Sequence, residues 1–150
     1  MSEPFLLNFK PLLTKILLFC IIILTGGVFM RKIQSIDELK IPTTHKQFID
    51  RYLKNIRKFD CISKVLLFGS CAKETATPNS DVDLFLLTKY KVPIDVEFNV
   101  IFDSIPTLKE GYVKNDVLLK SEEEYEQFKV IPGMVQKAIE REGVDLSELL

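Results

Sequence analysis

Two aspartates separated by one residue begin an otherwise apolar stretch of the chain. They are Asp81 and Asp83, and the residues that follow, Leu84–Leu87, are all apolar. In a β-strand, alternate side chains lie on the same face, so both carboxylates can contact one hard cation or a pair of them. Because Mg²⁺ is bound by a few carboxylates together with water and phosphate oxygens, the aspartates predict a magnesium site that holds two ions.

A Gly-Ser pair lies ten residues before these aspartates. Gly69 and Ser70 end the apolar run Val65–Phe68. Glycine lets the backbone approach a phosphate closely, and free N–H groups in a following helical turn attract anions. Lys73 follows three residues later and adds a positive charge. Gly69, Ser70 and Lys73 therefore predict a binding site for the phosphates of a nucleoside triphosphate, ATP or another.

Each part of this pattern also has a purely structural interpretation. A Gly-Ser pair before a loop is common, and an Asp-x-Asp pair can cap a strand. However, burying unpaired carboxylates is strongly unfavourable, which argues against a structural role for two acids at the start of an apolar strand. Cys71 is interpreted as a packing residue rather than a nucleophile, because no histidine or second cysteine lies nearby in the sequence.

The segment Leu66–Leu87 resembles the minimal nucleotidyltransferase branch of the DNA polymerase β-like nucleotidyltransferase superfamily. The shared pattern is a hydrophobic residue, Gly-Ser, ten residues and Asp-x-Asp. The resemblance covers Val65–Gly143 and implies a third carboxylate that completes the metal site and is a candidate base for the acceptor hydroxyl. Asp116 is the best match for it. One departure is Glu74, where many relatives have glycine, which adds a negative charge near the phosphates.

The resemblance implies transfer of a nucleoside monophosphate, AMP from ATP, to a hydroxyl acceptor. Stand-alone domains of this type often act as antitoxins that modify a toxin of the HEPN ribonuclease type, so a small helical partner protein is expected. One alternative is adenylylation of a small molecule such as an aminoglycoside, but too few residues follow Asp116 for the extra helical domain of such enzymes. Another is a non-catalytic module that binds and blocks a partner.

Hydrophobic periodicity predicts the elements that position this motif. Strands are expected at Val65–Phe68, Asp81–Thr88 and Tyr112–Lys120, and helices at about His45–Phe59, Pro93–Ile105 and Met134–Arg141. Together with the resemblance, they predict an α+β fold, with a small mixed or antiparallel sheet flanked by helices as in the polymerase β-like palm. We place this nucleotidyltransferase domain at residues 43–150.

Helix ends are also predicted from local signals. Thr44 with Gln47, and Ser121 with Glu124, have the spacing of capping boxes. Gly143 is expected to end the last helix in a left-handed conformation, leaving residues 144–150 as a short tail.

Composition limits the functions that the chain can have. Its 150 residues are 47% hydrophobic, which suffices for one packed core. Twenty basic and twenty-one acidic side chains give a net charge of -1, which argues against broad nucleic-acid binding. Three cysteines without paired spacing and the single histidine, His45, cannot form a typical zinc site. A reduced, cytoplasmic protein is expected.

Residues 1–32 form a separate apolar segment, which is expected to be an N-terminal apolar helix. Ile16–Met30 carries no charge, and lysines or arginines flank it on both sides. A spanning helix needs about 20 apolar residues, so a membrane anchor, with contact over residues 5–30, would be marginal. Alternatively, translation begins at Met30 and the preceding residues are absent from the mature protein. An exported signal peptide is the least favoured interpretation, because export would separate the enzyme from its triphosphate.

Overall fold

A mixed five-stranded sheet forms the centre of the computed structural model, which describes residues 29–109 and 111–150. Its order is β1-β5-β2-β3-β4. The strand β2 is antiparallel to both β3 and β5, whereas β1 is parallel to β5 and β3 is parallel to β4. The strands are β1 (Arg31–Lys32), β2 (Ile62–Phe68), β3 (Val82–Thr88), β4 (Asn115–Ser121) and β5 (Val144–Asp145). The predicted mixed α+β fold is confirmed.

Within residues 29–109 and 111–150, five α-helices connect and cover these strands. They are α1 (Thr43–Ile56), α2 (Gly69–Ala72), α3 (Ile94–Phe102), α4 (Glu122–Phe128) and α5 (Val135–Glu142). Two short 3₁₀ helices lie at Ile36–Glu38 and Ser147–Leu149. The three helices that hydrophobic periodicity predicted are all present as α1, α3 and α5, with ends shifted by one to three residues. The segment 93–105, which also alternates like a strand, is helical.

The two faces of the sheet bury different sets of side chains. On one face, the apolar side of α1 packs against alternate residues of β2 and β3. The helix contributes Phe48, Ile49 and Tyr52, and the strands contribute Val65, Leu67, Leu84 and Leu86. On the other face, α4 and α5 pack over Leu66, Phe85 and Leu87 through Tyr125 and Ile139. Because side chains alternate along a strand, the odd-numbered residues of β3, including Asp83, face the side that α4 and α5 cover.

One of the two predicted capping boxes is wrong. The helix α1 begins at Thr43 with Pro42 as its N-cap, and no side chain caps it. The hydroxyl of Thr44 lies 3.3 Å from Nδ1 of His45 instead, because the helix starts two residues earlier than a cap at Thr44 requires. The box at Ser121 and Glu124 is confirmed, with hydrogen bonds in both directions at the start of α4.

The end of α5 also differs from the prediction. Gly143 has φ -74° and ψ 164°, which is extended rather than left-handed. A Cβ atom at this position would lie 2.6 Å from the carbonyl oxygen of Ile139, so close packing requires glycine there. The chain then continues directly into the sheet, where Val144 and Asp145 pair with β1 on one side and β2 on the other. The predicted tail therefore contributes a strand.

The folded unit extends N-terminally beyond residue 43. Arg31 and Lys32 belong to the sheet, and Ile33 and Leu39 are completely buried. Most of the predicted apolar N-terminal segment and helix, residues 1–28, lies outside the described residues. Within residues 29–109 and 111–150, no helix has the length and hydropathy needed to cross a membrane.

Candidate active site

Strand register brings Asp83 and Asp116 side by side. Asp83 pairs with Phe68 across the antiparallel strands β2 and β3, and with Asp116 across the parallel strands β3 and β4. Asp81 precedes Asp83 by two residues, just before β3 begins. The structure therefore brings the three predicted carboxylates together at the edge of the sheet where β3 and β4 start. Asp81 and Asp116 are exposed there, and Asp83 is half-buried.

Gly69 lies directly against Asp83. It has φ +68°, in the left-handed region that glycine adopts without strain. A Cβ atom at Gly69 would overlap Oδ2 of Asp83. The pairing of Phe68 with Asp83 explains this contact, because the next residue after β2 must turn across the end of the sheet beside the carboxylate. The Gly-Ser turn and the Asp-x-Asp strand thus form one site.

The clustered charges affect the protonation of nearby groups. Burial, and then the charges of Asp81 and Asp116, raise the pKa of Asp83 above its usual value. Burial and the same acidic neighbours, Asp83 and Asp81, raise the pKa of the Cys71 thiol to about 11. Cys71 is therefore a neutral thiol at pH 7, and its Sγ donates a hydrogen bond to the carbonyl oxygen of Asp81 over 3.5 Å. It is not an activated nucleophile.

Lys73 and Ser70 occupy the turn after Gly69. Nζ of Lys73 lies 3.3 Å from a carboxylate oxygen of Glu142 at the end of α5, so Lys73 is paired away from the aspartates. Ser70 is half-buried in the single-turn helix α2, and its carbonyl oxygen accepts the backbone N–H of Thr75 over 3.0 Å. Whether Lys73 and Ser70 bind phosphate stays a prediction.

Glu74 directs its charge away from the predicted phosphate site. Its carboxylate accepts a hydrogen bond from Nη1 of Arg31 over 2.7 Å and one from the backbone N–H of Lys40 over 3.4 Å. The hydrogen bond from Arg31 holds the pKa of Glu74 below its usual value. Glu74 has φ +59°, the left-handed conformation that glycine adopts most easily. This backbone shape explains why glycine suits the same position in relatives.

The three aspartates carry carboxylate oxygens, which are the ligands that hard divalent cations prefer. Within the described residues, Asp81, Asp83 and Asp116 form no ion pair with lysine or arginine. The nearby cations Arg31 and Lys73 are paired with Glu74 and Glu142 instead. In that part of the chain, no three His, Cys, Asp or Glu side chains lie so that they could hold a metal ion by themselves. Whether the three aspartates bind Mg²⁺ together with water and substrate phosphates stays a prediction.

The family assignment follows from a match in sequence. The profile of the family described as "nucleotidyltransferase domain" matches residues 49–146, about two thirds of the chain. The chain belongs to this family. The match spans β2, β3 and β4, and it confirms the expected polymerase β-like superfamily. The narrower minimal branch stays a prediction.

Two further comparisons concern individual proteins. A crystal structure from Sulfolobus solfataricus, described as a candidate nucleotidyltransferase, is 20% identical in sequence to this nucleotidyltransferase domain. The similarity covers 54% of this chain and 70% of that one, with a TM-score of 0.41. No curated protein matches this nucleotidyltransferase in sequence.

One contact next to the carboxylates could not be predicted from the sequence. His45, in the first turn of α1, is buried and lies 2.8 Å from the carbonyl oxygen of Ser80. The two residues are 35 positions apart. The only sequence signal was that His45 falls near the start of an amphipathic helix, which gives no information about a partner in a distant loop.

Proposed function

We propose that this nucleotidyltransferase domain uses Mg²⁺ to transfer AMP from ATP to a hydroxyl group of a partner protein. The observation that carries the proposal is the packing of Asp83 against Gly69 on one side and beside Asp116 on the other. This arrangement joins carboxylates that bind cations to a glycine turn that phosphates can approach.

Each residue has a defined role in the proposed reaction. Asp81, Asp83 and Asp116 would hold two magnesium ions, which, when bound, neutralise the triphosphate and the leaving pyrophosphate. The turn at Gly69 and Ser70 positions the triphosphate. Asp116 accepts the proton of the acceptor hydroxyl, whose oxygen forms a bond to the α-phosphorus as the bond to the β-phosphate oxygen breaks. The products are the adenylylated acceptor and pyrophosphate.

The open position of the site supports a protein acceptor. Asp81 and Asp116 are exposed at the end of the sheet, where a bulky partner can approach. A cleft of about 440 Å³ lies on the face covered by α4 and contains none of the three aspartates. Among residues 111–150, the elements that follow β4 are α4, α5, β5 and a 3₁₀ helix. An antitoxin role towards a helical toxin is consistent with this arrangement.

A second candidate is a non-catalytic module that binds a partner. The ion pair between Lys73 and Glu142 favours it, because a lysine engaged elsewhere does not contribute to phosphate binding. The two candidates differ in one respect that can be measured, since only the enzyme transfers part of the nucleotide to its partner.

Labelled ATP distinguishes these candidates. The protein would be incubated with Mg²⁺, a small helical partner protein, and ATP labelled at either the α- or the γ-phosphate. Adenylyl transfer predicts that the partner acquires the α-label alone, and that Asp83→Asn abolishes the labelling. Asp60→Asn is the matched control, because it removes an exposed acid that precedes β2, at the opposite end of that strand from Gly69. Labelling from the γ-phosphate, or equal α-labelling by the wild type and Asp83→Asn, would refute adenylyl transfer at this site.

A further inference from the structure

The backbone on either side of the Asp81 α-carbon is held by side chains from other elements. The carbonyl oxygen of Ser80 lies 2.8 Å from Nε2 of His45, which belongs to α1. The carbonyl oxygen of Asp81 accepts the hydrogen bond from Cys71. Only 1% of the His45 surface is exposed, so its hydrogen bond is shielded from water. The His45 contact, at 2.8 Å between nitrogen and oxygen, is shorter than the 3.5 Å contact from the Cys71 sulfur.

The partners of His45 fix its tautomer. A carbonyl oxygen can only accept, so Nε2 of His45 carries the proton and donates it to Ser80. In the neutral ring, Nδ1 is then an acceptor for the hydroxyl of Thr44, 3.3 Å away. Both ring nitrogens therefore have a partner, and the ring orientation is determined by contacts at both ends. A buried ring with both nitrogens engaged is a rigid support.

The loop before Asp81 depends on this contact for its position. Its outer part is closed by local bonds, because the N–H of Ser80 donates to the carbonyl of Thr77 and the N–H of Thr77 donates to the hydroxyl of Ser80. These bonds fix the shape of the turn but not its location on the protein. The next backbone bond to the sheet is from Val82 to Lys114, after Asp81 has passed. His45 thus attaches the loop to α1 immediately before Asp81.

We propose that His45 is a positioning residue, which orients the carboxylate of Asp81 towards Asp83 and Asp116 by holding the carbonyl of Ser80. His45 does not contact the phosphates or the acceptor. The inference rests on the proposed function, because the orientation of Asp81 matters only if the three carboxylates bind a cation together. Residues that orient metal ligands typically change metal affinity or activity by about 10- to 100-fold.

Two substitutions of His45, by glutamine and by asparagine, test this role, because both place the same amide group on side chains of different length. In His45→Gln, the side-chain nitrogen can reach the place of Nε2, whereas in His45→Asn it reaches only the place of Nδ1. Both variants bury a neutral amide in the same site, so they differ in the bond to Ser80 rather than in polarity. Tyr52→Phe is the control, because it removes hydroxyl contacts from α1 to the carbonyls of Val100 and Ile101 in α3.

Mn²⁺ affinity, measured by electron paramagnetic resonance, is the first readout. We expect His45→Asn to bind Mn²⁺ about 10- to 100-fold more weakly than the wild type, and His45→Gln to recover most of the loss. Tyr52→Phe should bind as the wild type does. Amide hydrogen exchange at Asp81 and Val82 should be faster in His45→Asn alone, which reports the loop without requiring a metal.

The outcomes separate this inference from the proposed function. Equal Mn²⁺ affinity for the wild type, His45→Gln and His45→Asn would overturn the positioning role, and so would faster exchange without weaker metal binding. If only His45→Gln folds, a wild-type affinity supports the role and an affinity like that of Asp81→Asn overturns it. If the wild type itself fails to bind Mn²⁺ while exchange still responds to His45→Asn, the proposed metal-dependent function has failed instead.

Discussion

The Asp83 carboxylate packs directly against the bare α-carbon of Gly69, leaving no space for a side chain between them. The two residues are fourteen positions apart in the sequence, but the pairing of Phe68 with Asp83 places them in contact. This contact gives a structural reason for the motif. A glycine must end β2 because the strand that carries the carboxylates lies directly beside the turn.

Gly69→Ala should therefore destabilise the protein for two reasons. The left-handed backbone costs an alanine about 1–2 kcal/mol, and the overlap with Asp83 adds about 1–3 kcal/mol. Gly133→Ala is the matched control, because Gly133 has φ +85° but nothing within 4 Å of its added Cβ atom. Urea unfolding of both variants measures the difference. Equal losses of unfolding free energy would show that the contact with Asp83 is unimportant.

Asp83→Asn should stabilise the protein when divalent cations are removed. Burial and the neighbouring carboxylates raise the pKa of Asp83, so above that pKa the folded protein holds a charge that the unfolded chain holds more easily. We expect the free energy of unfolding at pH 7 to rise. As pH falls through the raised pKa, the gain should shrink, and it should vanish below the unfolded value of about 3.9.

Thermal unfolding with a chelator, from pH 7 to pH 4, tests that sign. Asp60→Asn serves as the control, because Asp60 is exposed and the same charge is lost. A stability gain for Asp83→Asn that grows as the pH falls would contradict the assignment of charge repulsion around Asp83.

Glu74 should have little influence on nucleotide binding while Arg31 is present. The carboxylate of Glu74 is 2.7 Å from Arg31, so Glu74→Gln should leave the affinity for a non-hydrolysable ATP analogue nearly unchanged. Arg31→Gln removes the pairing cation and should weaken binding by up to about fivefold, since the charge of Glu74 is then unpaired. Lys32→Gln, next to Arg31 in the exposed strand β1, is the control. Tighter nucleotide binding by Glu74→Gln would show that its charge does repel phosphate.

Gly143→Ala tests whether the position after α5 requires a residue without a side chain. A Cβ atom would lie 2.6 Å from the Ile139 carbonyl oxygen, so we expect a loss of about 1–3 kcal/mol of unfolding free energy. Lys137→Ala, exposed on the same helix, should change it little. Urea unfolding provides the measurement. A neutral effect of Gly143→Ala would indicate that the end of α5 shifts easily and that β5 does not depend on this packing.

Elements with strong local patterns could be predicted from the sequence. The helix α1 and the strands β2 and β3 bury apolar residues at regular spacing, and they lie close to their predicted positions, as do α3 and β4. In α3 the helical pattern did not mark a buried face, because Val100 is buried while Phe98 and Phe102 are exposed. The prediction that Asp81 and Asp83 share one face came from strand alternation, but β3 begins at Val82, so Asp81 lies just before the strand. Asp116 required the family resemblance, because nothing local distinguishes it from other acids near a strand. The structure places it opposite Asp83, and its role stays a prediction.

Features that depend on distant partners could not be predicted. The strands β1 and β5 have two residues each, too few for any periodicity, and they exist because the edge of β2 is available for pairing. The outward turn of Glu74 depends on Arg31, 43 positions earlier, and on a left-handed backbone that glutamate rarely adopts. The contact of His45 with Ser80 is similarly non-local.

The central claim is that Asp81, Asp83 and Asp116 form one divalent-cation site, and Mn²⁺ titration followed by electron paramagnetic resonance tests it most directly. The titration would use the wild type, Asp83→Asn, Asp116→Asn and the control Asp60→Asn, each with a non-hydrolysable ATP analogue. We predict that Asp83→Asn and Asp116→Asn each weaken Mn²⁺ binding by more than about tenfold, because each removes a metal ligand, whereas Asp60→Asn binds as the wild type does. Equal Mn²⁺ affinity in all four proteins would contradict the claim.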